Sequence, residues 1–440
     1  MAIGIGLLGL GTVGAGVAGI LATPEGRHPL VAELVLRRVA VRDPKRPRAV
    51  AVDPSLLSAD PLAVVDDPAV DIVVEVMGGL EPARSLILRA IAAGKPVVTA
   101  NKAVIARHGE EIAAAAARGG VYVLIEAAVG GGIPIIEPLK QSLGGNRIQR
   151  VSGIINGTTN YILSRMADEG AAYEAVLADA QRLGYAEADP AADVEGHDAA
   201  DKIAILASLA FGGSVARATI ATEGIHRLEA RDVSYAAQLG YVVKLLAVAE
   251  RMDGLVEPDA VPPGALPLDV RVPPTLLPRH HPLSGVHGVN NAILVEGDPV
   301  GQVMFFGPGA GAGPTASAVV ADILNIAGIR QVGGSGAGLD PLLAAGSWRR
   351  CALVDGNLSR HRNYVRLRSR DEAGVIGKIG TAFGTAGVSI QSIVQYEAIQ
   401  GSAEIVVITH EVVEAKFRRA LANIAALAEV ESVAACLRTL

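Results

Sequence analysis

Five short runs in the first third of the chain, residues 3–8, 32–41, 71–76, 96–99 and 121–126, are apolar with little polar alternation. Strands of that kind are buried on both faces, as in a parallel sheet covered by helices. Residues 15–21 and 82–93 between them have helical character, so the pattern predicts a doubly wound α/β unit. Further on, 148–155 reads as a strand entering a helix near 161, and residues Ile203, Leu206, Ala207 and Ala210 mark the buried stripe of another helix. The signal weakens from 214 to 293, where 266–272, 285–287 and 291–296 read as strands. Residues 302–306 lead through a glycine-rich loop into a helix over 314–326. A glycine-rich stretch at 333–339 and a short helix follow. The last part reads as strands at 364–369, 388–397, 402–410 and 433–437 and helices at 377–386 and 414–427, the βαββαβ order of a ferredoxin-like unit.

The first turn carries chemistry. Gly9-Leu10-Gly11-Thr12-Val13-Gly14 directly follows strand 3–8 and opens a helix. The first glycine permits a tight turn, the second lets backbone approach a pyrophosphate, and the third lets helix and strand pack closely. Strand 32–41 ends in Arg42-Asp43-Pro44-Lys45. Arg42 and Lys45 suit a 2′-phosphate and favour NADP, while Asp43 leaves NAD open. The alternative is a loop of ordinary solvated charges. A net charge of −6 and only 3% aromatic residues in 440 argue against nucleic acid as a main partner. No apolar run reaches membrane-spanning length, and no basic region precedes the apolar start, so a cytoplasmic protein is expected. Cys351 and Cys436, far apart, read as buried free thiols.

The stretch from Ala180 to Lys202 crowds acids and one lysine into a turn before an apolar helix. Asp189-Pro190 favours a turn, Asp193 is a candidate N-cap, and Asp198 and Lys202 stand four apart on one helical face. Such a pair is commonly a surface ion pair. The uncharged run after Lys202 argues instead for a largely buried helix, in which a lysine needs a carboxylate partner or a task that uses an easily shifted pKa.

The residues Ala180, Gly184, Tyr185, Asp189-Pro190, Asp193, Gly196, Asp198 and Lys202 resemble the homoserine dehydrogenase signature. The resemblance extends to Thr99-Ala-Asn-Lys102, to 126–134 and to Asn156-Gly-Thr-Thr-Asn-Tyr161. It implies that Lys202 is the general acid/base, that Lys102 contacts cofactor and substrate, and that Glu187 and Asp198 bind the substrate amino group with Asp193 in support. Gly157 and Thr158 would hold the substrate carboxylate, as a helix start can, and Tyr185 would line the pocket. Gly9, Gly11, Thr12, Val13, Gly14, Arg42, Gly184, Gly307 and Gly309 are the further cofactor contacts expected. A sodium ion is implied at Glu126 and the carbonyls of Val129, Gly131 and Ile133. The same resemblance implies NADP-dependent interconversion of L-homoserine and L-aspartate 4-semialdehyde, on the way to threonine, methionine and isoleucine. Another amino-acid or opine dehydrogenase is the alternative.

The C-terminal unit is similar to an ACT domain, with threonine as the expected effector. The expected division is 1–130 Rossmann nucleotide-binding, 131–300 α+β catalytic and dimerising, 301–330 returning to the nucleotide domain, 331–362 linker and 363–440 ACT. A homodimer or homotetramer is expected.

Overall fold

The computed structural model describes residues 2–257, 261–331, 349–396 and 402–440. The glycine-rich stretch at 333–339 and the helix expected after it lie outside the described residues. The chain forms two compact units, one from Met1–Val151, Asp201–Thr219 and Asn290–Arg350, the other from Ser152–Ala200, Ile220–Val289 and Cys351–Leu440.

The first unit is built on β1 (Ile3–Leu8), α1 (Thr12–Ala22), β2 (Leu34–Ala40), β3 (Leu57–Ser58), α2 (Leu62–Val65), β4 (Ile72–Glu75), α3 (Ala83–Ala92), β5 (Val97–Thr99), α4 (Lys102–Gly119) and β6 (Val123–Leu124). The six strands are parallel, in the order β3-β2-β1-β4-β5-β6. Strand order reverses between β1 and β4, so the ligand crevice of such a sheet lies at their carboxyl ends. The last strand is shorter than its apolar run suggests, because the chain turns into a 3-10 segment at Glu126–Ala128. An antiparallel hairpin, Asn290–Asp298 with Gly301–Pro308, belongs to the same unit.

The hairpin is followed by a helix at Ala312–Gln331, which the sequence ends sooner. It is long and apolar enough by composition to cross a membrane, yet Ala316, Val319, Val320 and Ile323 share a core with Val17 and Ala18 of α1. Glycine makes that contact close. A Cβ on Gly16 would lie 2.5 Å from the Ala312 carbonyl and 2.8 Å from the Ala316 Cβ.

After β7 (Arg147–Ile154) come α5 (Gly157–Glu169), α6 (Tyr173–Arg182), α7 (Ala191–Val194) and α8 (His197–Phe211). The second unit continues with α9 (Ala230–Gln238), β8 (Tyr241–Leu245), β9 (Ala247–Arg251), β10 (Leu266–Val272) and β11 (Pro274–Pro278). The C-terminal segment supplies β12 (Arg360–Arg370), α10 (Val375–Thr385), β13 (Ile390–Gln395), β14 (Ser402–Thr409), α11 (Glu414–Ala425) and β15 (Val430–Thr439). Its strands run β15-β12-β14-β13, the ferredoxin-like order, with Ile379, Phe383, Phe417 and Ile424 packed in a core with Val365, Leu367 and Val407.

That sheet does not end at β15. Strand β11 pairs parallel with it, and β8 pairs antiparallel with β11. Strands β8, β9 and β11 were not expected; across 241–249, apolar but for Lys244, neither strand alternation nor helical gaps type the first two. Conversely, the strand expected at 285–287 is absent. A 3-10 turn at Pro282–Gly285 and the left-handed Gly288, φ 64°, interrupt the chain there.

Candidate functional site

The glycine turn follows from sterics. Gly9 has φ 105°, and a Cβ on it would lie 2.9 Å from the Val76 carbonyl; one on Gly14 would lie 2.2 Å from the Gly9 carbonyl. Gly11 differs: no atom lies within 4 Å of where its Cβ would be, and it starts α1 without a side-chain cap. The first-turn N–H groups, those of Thr12 and Val13 included, therefore border open space, which suits a pyrophosphate. Arg42, Lys45 and Arg46 are exposed just past β2. The exposed Asp43 carboxylate accepts the Lys45 N–H at 2.9 Å through one oxygen, and Arg48 donates to the Asp43 backbone carbonyl at 2.6 Å.

At the ends of β4 and β5 stands a carboxyl group that sequence reading left without a role. Glu75 is fully buried; it accepts from the Thr99 hydroxyl at 2.7 Å and from the Met77 N–H at 2.8 Å. Burial pushes its pKa up, against the pull of those donors. Asn101 caps α4 through the Val104 N–H at 3.3 Å and donates to the Gly79 carbonyl at 2.7 Å. Lys102 is the first residue of the helix so capped.

Several of the residues expected to hold substrate gather at the start of α5. The N-cap is Asn156, whose Oδ1 accepts the Thr159 N–H at 2.9 Å and the Thr159 hydroxyl at 3.0 Å. Its Nδ2 donates to Asp193 at 2.7 Å and to Asp198 at 3.0 Å. Gly157 is required by packing, since a Cβ there would lie 2.8 Å from the Val289 carbonyl. The Thr158 hydroxyl donates to the Tyr185 carbonyl at 2.6 Å, which leaves the backbone N–H groups of Gly157 and Thr158 as the donors of that turn. Tyr185 also meets the Tyr161 ring at 5.0 Å between centroids.

Gly184, φ 77°, follows the end of α6, and Glu187 is exposed three residues on. Asp193 is not the N-cap of a long helix. It lies inside the short α7, and Gly196, φ 80°, separates that turn from α8. Asp198 and Lys202 lie one turn apart on α8, Asp198 and Lys202 both half-buried, and Ala210 is half-buried rather than core.

Three family models match this chain: "Homoserine dehydrogenase, NAD binding domain" over residues 9–126, "Homoserine dehydrogenase" over 134–324 and "ACT domain" over 363–429. A homoserine dehydrogenase of Synechocystis is 56% identical over all 440 residues, covering the whole of both chains. This chain belongs to the homoserine dehydrogenase family. A crystal structure of a homoserine dehydrogenase from Thiobacillus denitrificans superposes with a TM-score of 0.89 at 42% identity, covering 100% of this chain and 98% of that one. A hyperthermophilic archaeal homoserine dehydrogenase solved in complex with NADPH matches at TM-score 0.59 and 27% identity, over 74% of this chain and 98% of that one. The chain is thus an oxidoreductase with a nicotinamide-dinucleotide domain and a C-terminal ACT domain.

The loop after β6 can be tested for the cation that a homoserine dehydrogenase resemblance implies. Glu126 Oε1 accepts N–H groups from Ile135 at 2.6 Å and Ile136 at 2.9 Å, and Oε2 accepts one from Glu137 at 2.8 Å. One acceptor position of that carboxylate is left. Ile133 donates back to the Gly130 carbonyl at 2.9 Å, whereas the buried carbonyls of Val129, Gly131 and Ile133 accept no hydrogen bond among the described residues. An all-oxygen set of that kind suits a hard cation. Beside it, the Asp322 carboxyl accepts the Glu126 N–H at 2.8 Å, and the Lys140 ammonium lies 2.5 Å from Glu137. Gly307 lies at the end of the 301–308 strand, and a Cβ on Gly309 would overlap the Asn291 side chain, so Gly309 is fixed by packing.

Asn156, Asn160 and Lys244 were not singled out as site residues from sequence. The buried Lys244 ammonium, its pKa pushed down by burial to about 8, donates to Asn160 of α5 at 2.9 Å and to the Val286 carbonyl at 2.6 Å. The only sequence signal was the asparagine pair flanking the Gly-Thr-Thr turn. Neither cysteine is in a disulfide, but Cys436 is exposed and Cys351 half-buried rather than buried as the sequence suggests.

Proposed function

We propose that this chain interconverts L-homoserine and L-aspartate 4-semialdehyde with NADP(H). The observation that carries the reading is the double use of Asn156, which caps the open start of α5 and donates to Asp193 and Asp198. An α-amino acid bears its carboxylate and ammonium on one carbon, so a donor turn next to a pair of acids matches both charges at once. Gly157 and Thr158 hold the carboxylate by backbone N–H groups, Glu187 and Asp198 hold the ammonium, and Tyr185 closes the pocket wall.

When bound, the nicotinamide supplies hydride to the aldehyde carbon or takes it from the alcohol carbon. Lys202 gives its proton to the oxygen as negative charge develops there, and takes it back in the oxidative direction. Lys102 steadies the same end of the substrate. Holding both ends of the amino acid fixes the reacting carbon, and that positioning supplies much of the rate.

Gly9, Gly11, Thr12, Val13 and Gly14 cradle the pyrophosphate, with Gly184, Gly307 and Gly309 as further contacts of the cofactor. Arg42 faces the 2′-phosphate; the exposed basic loop favours NADP over NAD, as does the NADPH bound to the archaeal relative. Sodium at Glu126, Val129, Gly131 and Ile133 has a structural role. Threonine is the effector proposed for the ACT domain, and the protein works as a cytoplasmic homodimer or homotetramer. Residues 1–130 and 301–330 serve the nucleotide, 131–300 substrate and dimerisation, and 363–440 regulation after a 331–362 linker.

The test is absorbance at the reduced nicotinamide band with purified protein, L-homoserine and either NADP or NAD. Homoserine-dependent reduction, faster with NADP, is expected. Cofactor binding without reduction by homoserine in any buffer or salt contradicts the reading.

A further inference from the structure

The geometry points to Asn156 as a positioning residue for the substrate's ammonium site, acting through Asp193 and Asp198, beyond its duty as a helix cap. The inference rests on the proposed role of Asp198 in holding the amino group. Asn156 is 5% exposed, and its single carboxamide makes four hydrogen bonds of two opposite kinds. Its oxygen accepts the Thr159 N–H at 2.9 Å and the Thr159 hydroxyl at 3.0 Å. Its nitrogen donates to Asp193 at 2.7 Å and to Asp198 at 3.0 Å. Both lone pairs and both protons of the amide are used, which is the full capacity of that side chain.

No other residue type supplies this combination at this size. Serine, threonine and aspartate cap helices as well as asparagine does. None of them presents an NH2 group that bridges two carboxylates. Capping alone therefore does not account for asparagine, whereas bridging does. The bridge also spans sequence: Asp193 sits on α7 and Asp198 on α8, with the left-handed Gly196 between these helices. A common donor fixes the two acids to the start of α5, where Gly157 and Thr158 present their N–H groups. One amide thus links the carboxylate-binding and ammonium-binding halves of the substrate site. Two carboxylates this close to one another repel, and the shared NH2 offsets that repulsion without adding a charge that would compete with the ammonium.

The experiment compares wild type with Asn156→Ser, Asn156→Asp and Asp198→Asn, using the full chain with NADP and L-homoserine. Asn156→Ser keeps the cap and removes the bridge. Asn156→Asp keeps cap and shape and replaces the bridging NH2 by a third acidic oxygen. Losing hydrogen bonds to charged groups is expected to raise KM for homoserine by about tenfold to a hundredfold in the serine variant, and further in the aspartate variant. KM for NADP and the melting temperature of the serine variant should stay near the wild-type values, a split that a purely structural role would not produce. If both Asn156 variants keep the wild-type KM for homoserine while Asp198→Asn raises it, Asn156 is only a cap and this inference fails alone. If Asp198→Asn leaves that KM unchanged, the ammonium assignment fails and takes the inference with it.

Discussion

At the scale of single residues, the parts of the site that sequence reveals are those whose chemistry is local. Gly9, Gly11 and Gly14 are legible because turn, approach and packing each act within a few residues. Asn156 is legible only as a cap. Its other bonds go to residues 37 and 42 positions on, and nothing in the spacing encodes them. Thr158 shows the converse: its hydroxyl looks like a substrate donor, yet it is spent on the Tyr185 carbonyl.

Glu75 was visible as an acid at a strand end and silent as to its state. Burial holds its proton on above the ordinary value of 4.5, against the Thr99 and Met77 donors. The unfolded chain releases that proton first, so between the two pKa values the native state binds more protons and stability falls as pH rises. In Glu75→Gln this fall is absent. The difference in unfolding free energy, variant minus wild type, should therefore grow as pH is raised from about 4.5 towards neutrality, as measured by urea titration at several pH values. A difference independent of pH would mean that the buried carboxyl carries no such cost.

At the scale of elements, apolar runs flanked by glycine turns were legible, whereas uninterrupted apolar segments were not. Five strands of the parallel sheet and the βαββαβ unit follow from alternation of strand runs with helical spacing, while the two-residue β3 at Leu57–Ser58 was not expected. Strands β8 and β9 do not, because 241–249 gives no period to read. Contacts between helices are equally hidden, although small residues mark them once the partner is known. Gly16 and Gly19 both lie on α1, yet only Gly16 meets the 312–331 helix. Gly16→Ala forces a methyl against backbone and should cost about 1–3 kcal/mol. Gly19→Ala meets nothing within 4 Å and should gain about 0.5–1 kcal/mol from helix propensity. Thermal unfolding of the two variants checks the opposite signs.

At the scale of the whole molecule, the ferredoxin-like segment was legible as a separate module, but its attachment was not. Strand β15 continues through β11 to β8, so the ACT sheet incorporates strands contributed from the middle of the chain. The other anchor is ionic. Arg366 of β12 is fully buried against Asp232 of α9, with Nε to carboxylate at 2.6 Å, and Glu404 lies 3.0 Å away. The Tyr364 hydroxyl donates to the same Asp232 at 3.3 Å. Removing one member leaves a buried charge without its main partner, so Asp232→Ala should destabilise the chain by about 3–5 kcal/mol, read by denaturant unfolding. Sequence shows neither residue as special, since the pair joins positions 134 apart.

The central claim is that Lys202 carries the proton exchanged with the substrate oxygen. It is tested most directly by Lys202→Ala, with NADP and homoserine affinities measured alongside turnover. The account predicts that the variant binds cofactor as wild type does, binds homoserine within a few-fold, and loses about 10²–10⁴ in kcat. Turnover retained within a few-fold would contradict it and move the proton transfer to Lys102 or to solvent.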